Sequence, residues 1–233
     1  MNIAVIKAGG VGSRMGAGVP KQFITVGGKP IIIYTLEAFQ KHPGIDRIVV
    51  VCVKGWDDIL RMYAESFGIT KLVKIVEGGE TSLKSIQNGV YALRNEYDKD
   101  DVILIHDANR PLVSEEIISD VLVESKLHGM AVAAIPCTDE VGIIEAGNPN
   151  VSSKFADHKI LYRIQTPDAY RLGTILKILD SATEEQLTKI GSTNVLAIAQ
   201  GYEMRFANGS ETNIRLTTQE DITHLEAMLK VRN

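Results

Sequence analysis

The sequence has few of the features that mark a disulfide-bonded or metal-binding protein. It contains only two cysteines, Cys52 and Cys137, and neither stands in a CxxC or Cys/His pattern. This scarcity argues against a cysteine-ligated metal centre and against a redox pair. Both cysteines lie in apolar, strand-like runs, so we expect them to be buried free thiols, which suits a reducing cytosol.

Long apolar runs and an excess of positive charge are also missing. No apolar run approaches the roughly 20 residues that a helix needs to cross a bilayer. The N-terminus enters a strand-like run without the basic and apolar segments of a signal sequence. The formal net charge is −4 at pH 7, which gives no support for binding to nucleic acid or to an anionic membrane. We therefore expect a soluble, cytoplasmic protein without a nucleic-acid or membrane partner.

Strand-like and helix-like stretches alternate along the chain, with no internal repeat and no low-complexity linker. This order predicts an α/β fold in one domain over residues 1–233, with a mostly parallel sheet and helices on both faces. The predicted strands are residues 2–7, 47–53, 72–76, 101–105, 130–135, 203–206 and 213–217. The predicted helices are residues 30–40, 57–67, 82–97, 115–127 and 171–180, one that starts at 184, and a closing helix capped by Thr218.

Residues 138–164 break this alternation. The segments Thr138–Glu145 and Val151–Phe155, joined by a turn at Ala146–Pro149, predict a β-hairpin that projects from the core. From these residues alone two interpretations stay open: a surface hairpin without a partner, or an arm that contacts a second subunit.

A glycine-rich loop follows the first strand. Residues 8–16 are Ala-Gly-Gly-Val-Gly-Ser-Arg-Met-Gly, and Val-Pro-Lys-Gln follows at 19–22. Glycines let the backbone approach a ligand closely, and the amides of such a loop can hold an anion. Arg14 and Lys21 add two cations, so we interpret the loop as a polyphosphate cradle, with an ordinary tight turn as the alternative. Lys7 precedes the loop, and its ammonium points either into the cradle or out to solvent.

The loop differs from two better-known phosphate-binding motifs. No Gly-Lys-Ser or Gly-Lys-Thr closes it, so it is not a P-loop. The spacing Gly10-x-Gly12-x-x-Met15 lacks the third glycine of the dinucleotide fingerprint, and Glu37 lies in a predicted helix rather than where it would hold a ribose. A nicotinamide site is therefore disfavoured.

The whole string is more informative than its glycines. Ala-Gly-Gly-x-Gly-x-Arg-Met-Gly followed by Pro-Lys-Gln resembles the nucleotidyltransferases that join a sugar or polyol phosphate to a nucleoside triphosphate. It is most similar to the cytidylyltransferases that make CDP-ribitol or CDP-methylerythritol, and the resemblance covers nearly the whole chain. It implies a single Rossmann-like nucleotidyltransferase domain, CTP and a small polyol or sugar phosphate as substrates, and a homodimer clasped by an arm at 138–164.

A second motif, His106-Asp-Ala-Asn-Arg-Pro111, follows the apolar run that ends at Ile105. Because ligands sit at the carboxyl ends of strands in open α/β sheets, Asp107 is placed to bind Mg²⁺ that bridges phosphate oxygens. Asp107 and Arg110 match the family pattern, while Asn109 stands where the family often has a small apolar residue. A structural Asp–Arg pair is the alternative, and for His106 a structural role is favoured over a catalytic one.

A third motif runs from Glu77 to Ser85 and places two glycines and several hydroxyls at a predicted helix start. Such a segment suits recognition of a nucleobase and ribose, and Thr81 or Ser82 can also cap the helix. The family often has an acidic residue and an arginine after the glycines, and the missing arginine leaves the choice of base open. The resemblance implies these nucleotide-binding residues: Lys7, Ala8, Gly9, Gly10, Gly12, Gly79, Glu80, Ser82, Ser85 and Ala108.

The acceptor side departs more from the family pattern. Asn-Ile-Arg-Leu-Thr at 213–217 resembles a segment whose lysine contacts the acceptor phosphate, and Arg215 keeps the charge but changes its shape. His158 replaces an arginine of the arm, and Asp168 and Asn194 also differ from the pattern. The acceptor-binding candidates are Arg110, Asp139, His158 and Arg215, and the catalytic candidates are Arg14, Lys21, His158 and Arg215.

The spacing Tyr162-x-x-Gln165-Thr-Pro resembles the ribitol branch of the family. We therefore expect transfer of CMP from CTP to ribitol 5-phosphate with release of pyrophosphate. Methylerythritol 4-phosphate is the alternative acceptor, and the departures on the acceptor side leave open a non-catalytic nucleotide-binding protein.

Overall fold

The computed structural model describes residues 1–10 and 18–232, and it alternates strands and helices as the sequence predicts. The strands are β1 (Asn2–Ala8), β2 (Thr25–Val26), β3 (Lys29–Pro30), β4 (Arg47–Cys52), β5 (Leu72–Glu77), β6 (Val102–Asp107), β7 (Met130–Pro136), β8 (Val141–Glu145), β9 (Asn148–Ala156), β10 (Tyr162–Arg171) and β11 (Arg205–Asn208). The helices are α1 (Ile31–Lys41), α2 (Asp57–Ser66), α3 (Ser82–Tyr91), α4 (Glu115–His128), α5 (Leu172–Asp180), α6 (Glu184–Lys189), α7 (Thr193–Ala199) and α8 (Gln219–Arg232).

The main sheet has seven strands in the order β11-β7-β10-β6-β1-β4-β5. Its pairings are parallel except those of β10, which runs antiparallel between β6 and β7. One apolar core lies between the sheet and helices α1, α2 and α4, and a second lies between the sheet and helices α3, α5, α6 and α7. The predicted α/β architecture with helices on both faces is therefore confirmed, and β6, covered on both sides, is buried along its whole length.

Strand β10 was not predicted. Its ten residues, Tyr162–Arg171, contain Pro167 and several polar side chains, so they lack the apolar pattern of the other central strands. The strand has a register shift between Ile164 and Asp168, where its pairing with β7 is interrupted. Its strand character comes from neighbours on both sides, β6 and β7, and these cannot be identified from the segment itself.

The prediction of a last strand at 213–217 is wrong. The segment is irregular, and its backbone pairs with the loop after β6 instead of with a strand. The Leu216 N–H donates to the Asn109 carbonyl at 2.9 Å, and the Asn109 side-chain amide donates to the Leu216 carbonyl at 2.5 Å. A loop and a side chain satisfy the backbone groups that a neighbouring strand would otherwise satisfy.

Helix α3 is shorter than predicted, because it ends at Tyr91 and not at Tyr97. Beyond it the amides bond three residues back, as in Leu93 to Val90, so the chain continues in tighter turns. Inside the helix, a Cβ on Gly89 would lie only 2.6 Å from a methyl of Val51. Glycine there lets α3 pack against the sheet, which brings the start of the helix to the end of β1.

The predicted caps of two helices are confirmed. Thr81 accepts the Lys84 N–H at the start of α3. Thr218 accepts the Asp221 N–H at the start of α8, and the Asp221 carboxylate accepts the Thr218 N–H at 2.8 Å. These reciprocal bonds satisfy amides that the first turn of a helix leaves without partners.

The predicted hairpin is present as strands β8 and β9, joined at Ala146–Gly147, where Gly147 has a φ of +83°. The turn is tighter than predicted, since β9 already begins at Asn148. Almost every residue of β9 is exposed, so the hairpin projects from the domain. We call residues 138–164 the arm.

The cysteines are both free, but only one is buried. Cys52 lies inside β4, where burial raises the pKa of its thiol to about 12. Cys137 follows the last residue of β7 and is half-buried, which corrects the prediction for this residue. No helix in the described ranges is long and apolar enough to cross a bilayer.

Candidate active site

A cleft of about 410 Å³ opens at the carboxyl ends of β1 and β6. It brings together the start of the glycine loop, the start of α3, the end of β6 and the segment before α8. Of the residues that the structure describes, those lining the cleft are Lys7, Ala8, Gly9, Gly10, Lys21, Gln22, Gly79, Glu80, Thr81, Ser82, Ser85, Asp107, Ala108, Asn109 and Arg215. The three sequence motifs therefore meet in one place.

Gln22 anchors the start of the glycine loop. Its buried side-chain amide donates to the carbonyl of Ala8 at 2.6 Å and to that of Gly10 at 3.1 Å. A single helical turn, Lys21–Phe23, carries this glutamine and sets Lys21 beside the cleft. Gln22 was not among the predicted site residues, although its place in the Pro-Lys-Gln motif was a usable signal.

The loop and the start of α3 touch through their backbones. A Cβ on Gly9 would lie 3.0 Å from the Ser85 hydroxyl and 3.4 Å from the Gly78 Cα, so glycine is needed for this approach. The Ser85 hydroxyl accepts the Gly79 N–H at 3.0 Å and can donate to the Gly79 carbonyl at 3.2 Å. Ser85 thus shapes the turn at Gly79, and its predicted role in base recognition stays a prediction.

Lys7 points into the cleft and not out to solvent. Strands β1 and β6 are parallel neighbours, and their register sets Lys7 opposite Asp107. The Lys7 ammonium lies 2.8 Å from Asp107 Oδ1 and donates to the Ser82 hydroxyl at 3.2 Å. With 22% of its side chain exposed, Lys7 keeps access to a ligand in the cleft.

Asp107 is buried and carries a negative charge. Burial by itself would raise the pKa of its carboxyl, but the Lys7 ammonium and the Arg110 guanidinium outweigh that effect and hold the pKa well below its usual range. Mg²⁺ accepts one or two carboxylates and takes its other ligands from phosphate and water, so an ionised Asp107 in the cleft fits this ion. The described residues contain no cluster of three or more His, Cys, Asp or Glu side chains.

Arg110, predicted to bind the acceptor, lies just behind the cleft and does not line it. Its Nη1 donates to the Asn213 carbonyl at 2.6 Å, and its Nε lies 3.6 Å from Asp107 Oδ2. Among the described residues, that Nε and the Asn213 side-chain oxygen are the buried polar side-chain atoms without a hydrogen-bond partner. Gly12 and Arg14 lie outside the described residues.

The predicted site residues on the arm do not line the cleft of their own chain. Asp139 is exposed, and His158 lies in a single helical turn with its Nδ1 3.4 Å from Glu140. Their role in acceptor binding stays a prediction.

His106 is fully buried and holds the loop that follows it. Burial lowers the pKa of its imidazole to about 4, so the ring is neutral at pH 7. One ring nitrogen lies 3.2 Å from the Arg110 carbonyl, and the other lies 3.1 Å from the Thr166 hydroxyl. The ring therefore has the structural role that the sequence favoured.

The family model described as "IspD: 2-C-methyl-D-erythritol 4-phosphate cytidylyltransferase" matches residues 2–231. The chain is 41% identical to the ribitol-5-phosphate cytidylyltransferase of Lacticaseibacillus paracasei, over 99% of this chain and 98% of that protein. It is 34% identical to the 2-C-methyl-D-erythritol 4-phosphate cytidylyltransferase of Geobacter metallireducens, over 97% of each chain.

Solved structures give the same fold. The 4-diphosphocytidyl-2C-methyl-D-erythritol synthase of Anaerococcus prevotii superposes with a TM-score of 0.82 at 26% identity, over 99% of this chain and 96% of that chain. The Francisella tularensis 2-C-methyl-D-erythritol 4-phosphate cytidylyltransferase superposes with a TM-score of 0.79 at 26% identity, over 97% and 98%.

A second buried carboxyl, that of Asp168, lies in β10 next to β6. Its Oδ2 accepts the Tyr170 hydroxyl at 2.5 Å and the Thr193 hydroxyl at 2.6 Å. Burial raises the pKa of Asp168 to about 6, although both hydroxyls and the Lys7 ammonium favour the ionised form. Ionisation of this group is therefore more costly in the folded protein than in the unfolded chain.

We predict that Asp168→Asn removes a pH dependence of stability. The pKa of Asp168 is higher in the folded state than the ordinary 3.8. The contribution of its protonated carboxyl to stability is therefore complete at low pH and is lost as pH rises through about 6. Relative to the variant, the wild-type free energy of unfolding should fall by about 2.5 kcal/mol between roughly pH 4 and pH 7.5. Urea unfolding at several pH values measures this, with Asp139→Asn on the exposed arm as a control. Parallel pH curves for wild type and Asp168→Asn would contradict the prediction.

Proposed function

This chain belongs to the IspD family of cytidylyltransferases, and we propose that it transfers CMP from CTP to ribitol 5-phosphate with release of pyrophosphate. The observation that carries the choice of acceptor is the 41% identity, over nearly the whole chain, to a protein named for ribitol 5-phosphate. Two relatives named for methylerythritol 4-phosphate are 34% and 31% identical, so that acceptor is the second candidate.

In the proposed reaction an oxygen of the acceptor phosphate forms a bond to the α-phosphorus of CTP, and the bond from that phosphorus to the α,β-bridging oxygen breaks. The nucleophile is already an anion, so no strong general base is required. The barrier lies in bringing two polyanions together and in stabilising the charge on the departing pyrophosphate. Positioning and electrostatic stabilisation are the means by which proteins lower such barriers.

The cations of the cleft serve that purpose in this proposal. Lys7 and Lys21 line the cleft from the end of β1 and from the turn after the glycine loop. They stabilise the phosphates of CTP and the pyrophosphate as it leaves, together with Arg14 of the glycine loop. Asp107 is the residue that would hold Mg²⁺, which supplies charge neutralisation on the phosphate oxygens when bound.

The nucleoside end is assigned to the start of α3. Gly79, Glu80, Ser82 and Ser85 line the cleft there, with Ala108 on the side of β6. Backbone groups near Gly79 and the side chains of Glu80 and Ser82 offer donors and acceptors for a base and a ribose. We propose that the enzyme acts in the cytoplasm, where nucleoside triphosphates are available.

The acceptor phosphate is assigned to Arg215, with Arg110 behind it. Asp139 and His158 belong to the arm and lie outside the cleft of their own chain, so their part in acceptor binding depends on assembly. The arm and its base expose large apolar side chains, with 64% of Ile144, 74% of Phe155 and 79% of Ile160 accessible to solvent. We propose that a second copy of the chain covers them in a homodimer, because apolar surface of this kind marks an interaction site.

The choice of substrates is tested by measuring pyrophosphate release with each of the four nucleoside triphosphates and with both acceptors, in the presence of Mg²⁺. We expect the highest kcat/KM for CTP with ribitol 5-phosphate, at least about 10-fold above that for methylerythritol 4-phosphate, because the unmatched substrate leaves polar groups unpaired. A higher kcat/KM with methylerythritol 4-phosphate than with ribitol 5-phosphate would instead identify methylerythritol 4-phosphate as the acceptor. Nucleotide binding without pyrophosphate from either acceptor would contradict the proposed reaction.

For Lys21→Ala we expect kcat/KM to fall by about 10²–10³, because one well-placed donor to a charged transition state contributes that much. Lys41→Ala, at the exposed end of α1, is the matched control and should retain the wild-type rate. Circular dichroism verifies the fold of both variants. A near-normal rate for Lys21→Ala would remove Lys21 from the mechanism.

The dimer is tested by replacing Phe155 and Ile160 together by aspartate. A charge on each buried apolar contact should dissociate the dimer, so sedimentation is expected to give twice the chain mass for wild type and the chain mass for the variant. Met62→Asp, at an exposed apolar residue of α2, serves as the control and should remain dimeric. A monomeric wild-type protein would contradict the proposed assembly.

A further inference from the structure

We infer that Asn109 is a positioning residue that holds Arg215 at the mouth of the cleft. The inference rests on the proposed role of Arg215 in binding the acceptor phosphate. It starts from the reciprocal contact between Asn109 and Leu216, which are 107 residues apart in the chain. The side-chain amide of Asn109 donates to the Leu216 carbonyl at 2.5 Å, and the Leu216 N–H donates to the Asn109 carbonyl at 2.9 Å.

This contact is sheltered from solvent. Asn109 is 7% exposed and Leu216 is 1% exposed, so water cannot easily replace the amide if the side chain is shortened. An apolar residue at position 109 could still accept the Leu216 N–H through its backbone, but it could not donate to the Leu216 carbonyl. We call the two hydrogen bonds between Asn109 and Leu216 the clamp. The Asn109 side chain makes one of them, and a substitution at this position removes that bond while the backbone bond can remain.

Arg215 needs such support because it stands on an irregular segment. The residues on either side that anchor the segment, Asn213 and Leu216, are buried, while Arg215 between them is exposed and lines the cleft. The Asn213 carbonyl accepts Nη1 of Arg110 at 2.6 Å, and the Leu216 carbonyl accepts the amide of Asn109. The backbone on both sides of Arg215 is thus held by Asn109 and Arg110, two consecutive residues of the loop after β6.

The same loop carries Asp107, so the clamp links two parts of the cleft. Asp107 ends β6, and Asn109 follows two residues later. On its other side the segment is held by α8: the Leu216 side chain shares an apolar cluster with Ile222 and Leu225, and Asp221 accepts the Thr217 N–H at 2.6 Å. Asn109 connects the segment to the loop of Asp107, which keeps the acceptor phosphate in line with the nucleotide. A small displacement of such a contact is costly in rate.

The inference is tested with Asn109→Ala and with Asn109→Leu, whose uncharged side chain has a similar length but cannot donate to a carbonyl. Both should raise the KM for ribitol 5-phosphate by about 10-fold while changing the KM for CTP by less than about 2-fold. Calorimetric titration with ribitol 5-phosphate gives the same comparison without turnover, and is repeated with methylerythritol 4-phosphate if that is the acceptor. The two variants together keep the test valid if one of them fails to fold.

Ser125→Ala is the matched control, because Ser125 is buried in α4 and its hydroxyl also donates to a backbone carbonyl, that of Leu122, at 3.0 Å. A merely structural role for Asn109 would make its variants behave like Ser125→Ala, with reduced stability and unchanged KM for the acceptor. That result would overturn the inference.

Arg215→Ala separates the inference from the proposed function. It should raise the KM for the acceptor, and adding Asn109→Ala to it should raise that KM no further, since a residue that acts through Arg215 has no effect once Arg215 is gone. An unchanged acceptor KM in Arg215→Ala would overturn the proposed role of Arg215 and the inference with it. A raised KM in Arg215→Ala with normal acceptor binding in both Asn109 variants would overturn the inference alone.

Discussion

The ion pair between Lys7 and Asp107 is the interaction on which the cleft depends. Strands β1 and β6 lie side by side in the centre of the sheet, and their register sets the two charges opposite each other where both strands end. Each charge would be costly to bury alone, and each is stabilised by the other. The pair therefore joins the glycine loop after β1 to the loop after β6, which are the two sides between which a nucleotide would lie.

Local charge explains how a chain with a net charge of −4 can suit a polyanionic substrate. Lys7, Lys21 and Arg215 line the cleft, and Arg110 lies behind it. Asp107 and Glu80 are the acidic residues in the described part of the lining, so positive charges outnumber negative ones at this end of the sheet. Charges farther away than about 10 Å are screened at ordinary ionic strength, so the acidic surface elsewhere has little influence.

The two ends of the cleft are built in different ways. At the end assigned to the nucleotide, the close approach of Gly9 to Gly78 and the Ser85 hydroxyl locks the loop against α3, so backbone geometry defines the surface. At the end assigned to the acceptor, Arg215 stands on an irregular segment whose Leu216 carbonyl accepts the side-chain amide of Asn109. A surface that depends on a few side chains is changed by single substitutions, and relatives of this chain are named for two different acceptors.

Features that local sequence patterns encode could be predicted in advance. Apolar runs bounded by glycine and polar residues predicted strands β1, β4 and β6, and the three motifs at strand ends predicted most of the residues that line the cleft. Local patterns could not determine the antiparallel course of β10, the docking of residues 213–217 or the direction of Lys7. Each of these depends on a partner far along the chain, as Leu216 depends on Asn109. Which charges face each other followed only from the folded chain, because strand order and register set those distances and no short stretch of sequence carries them.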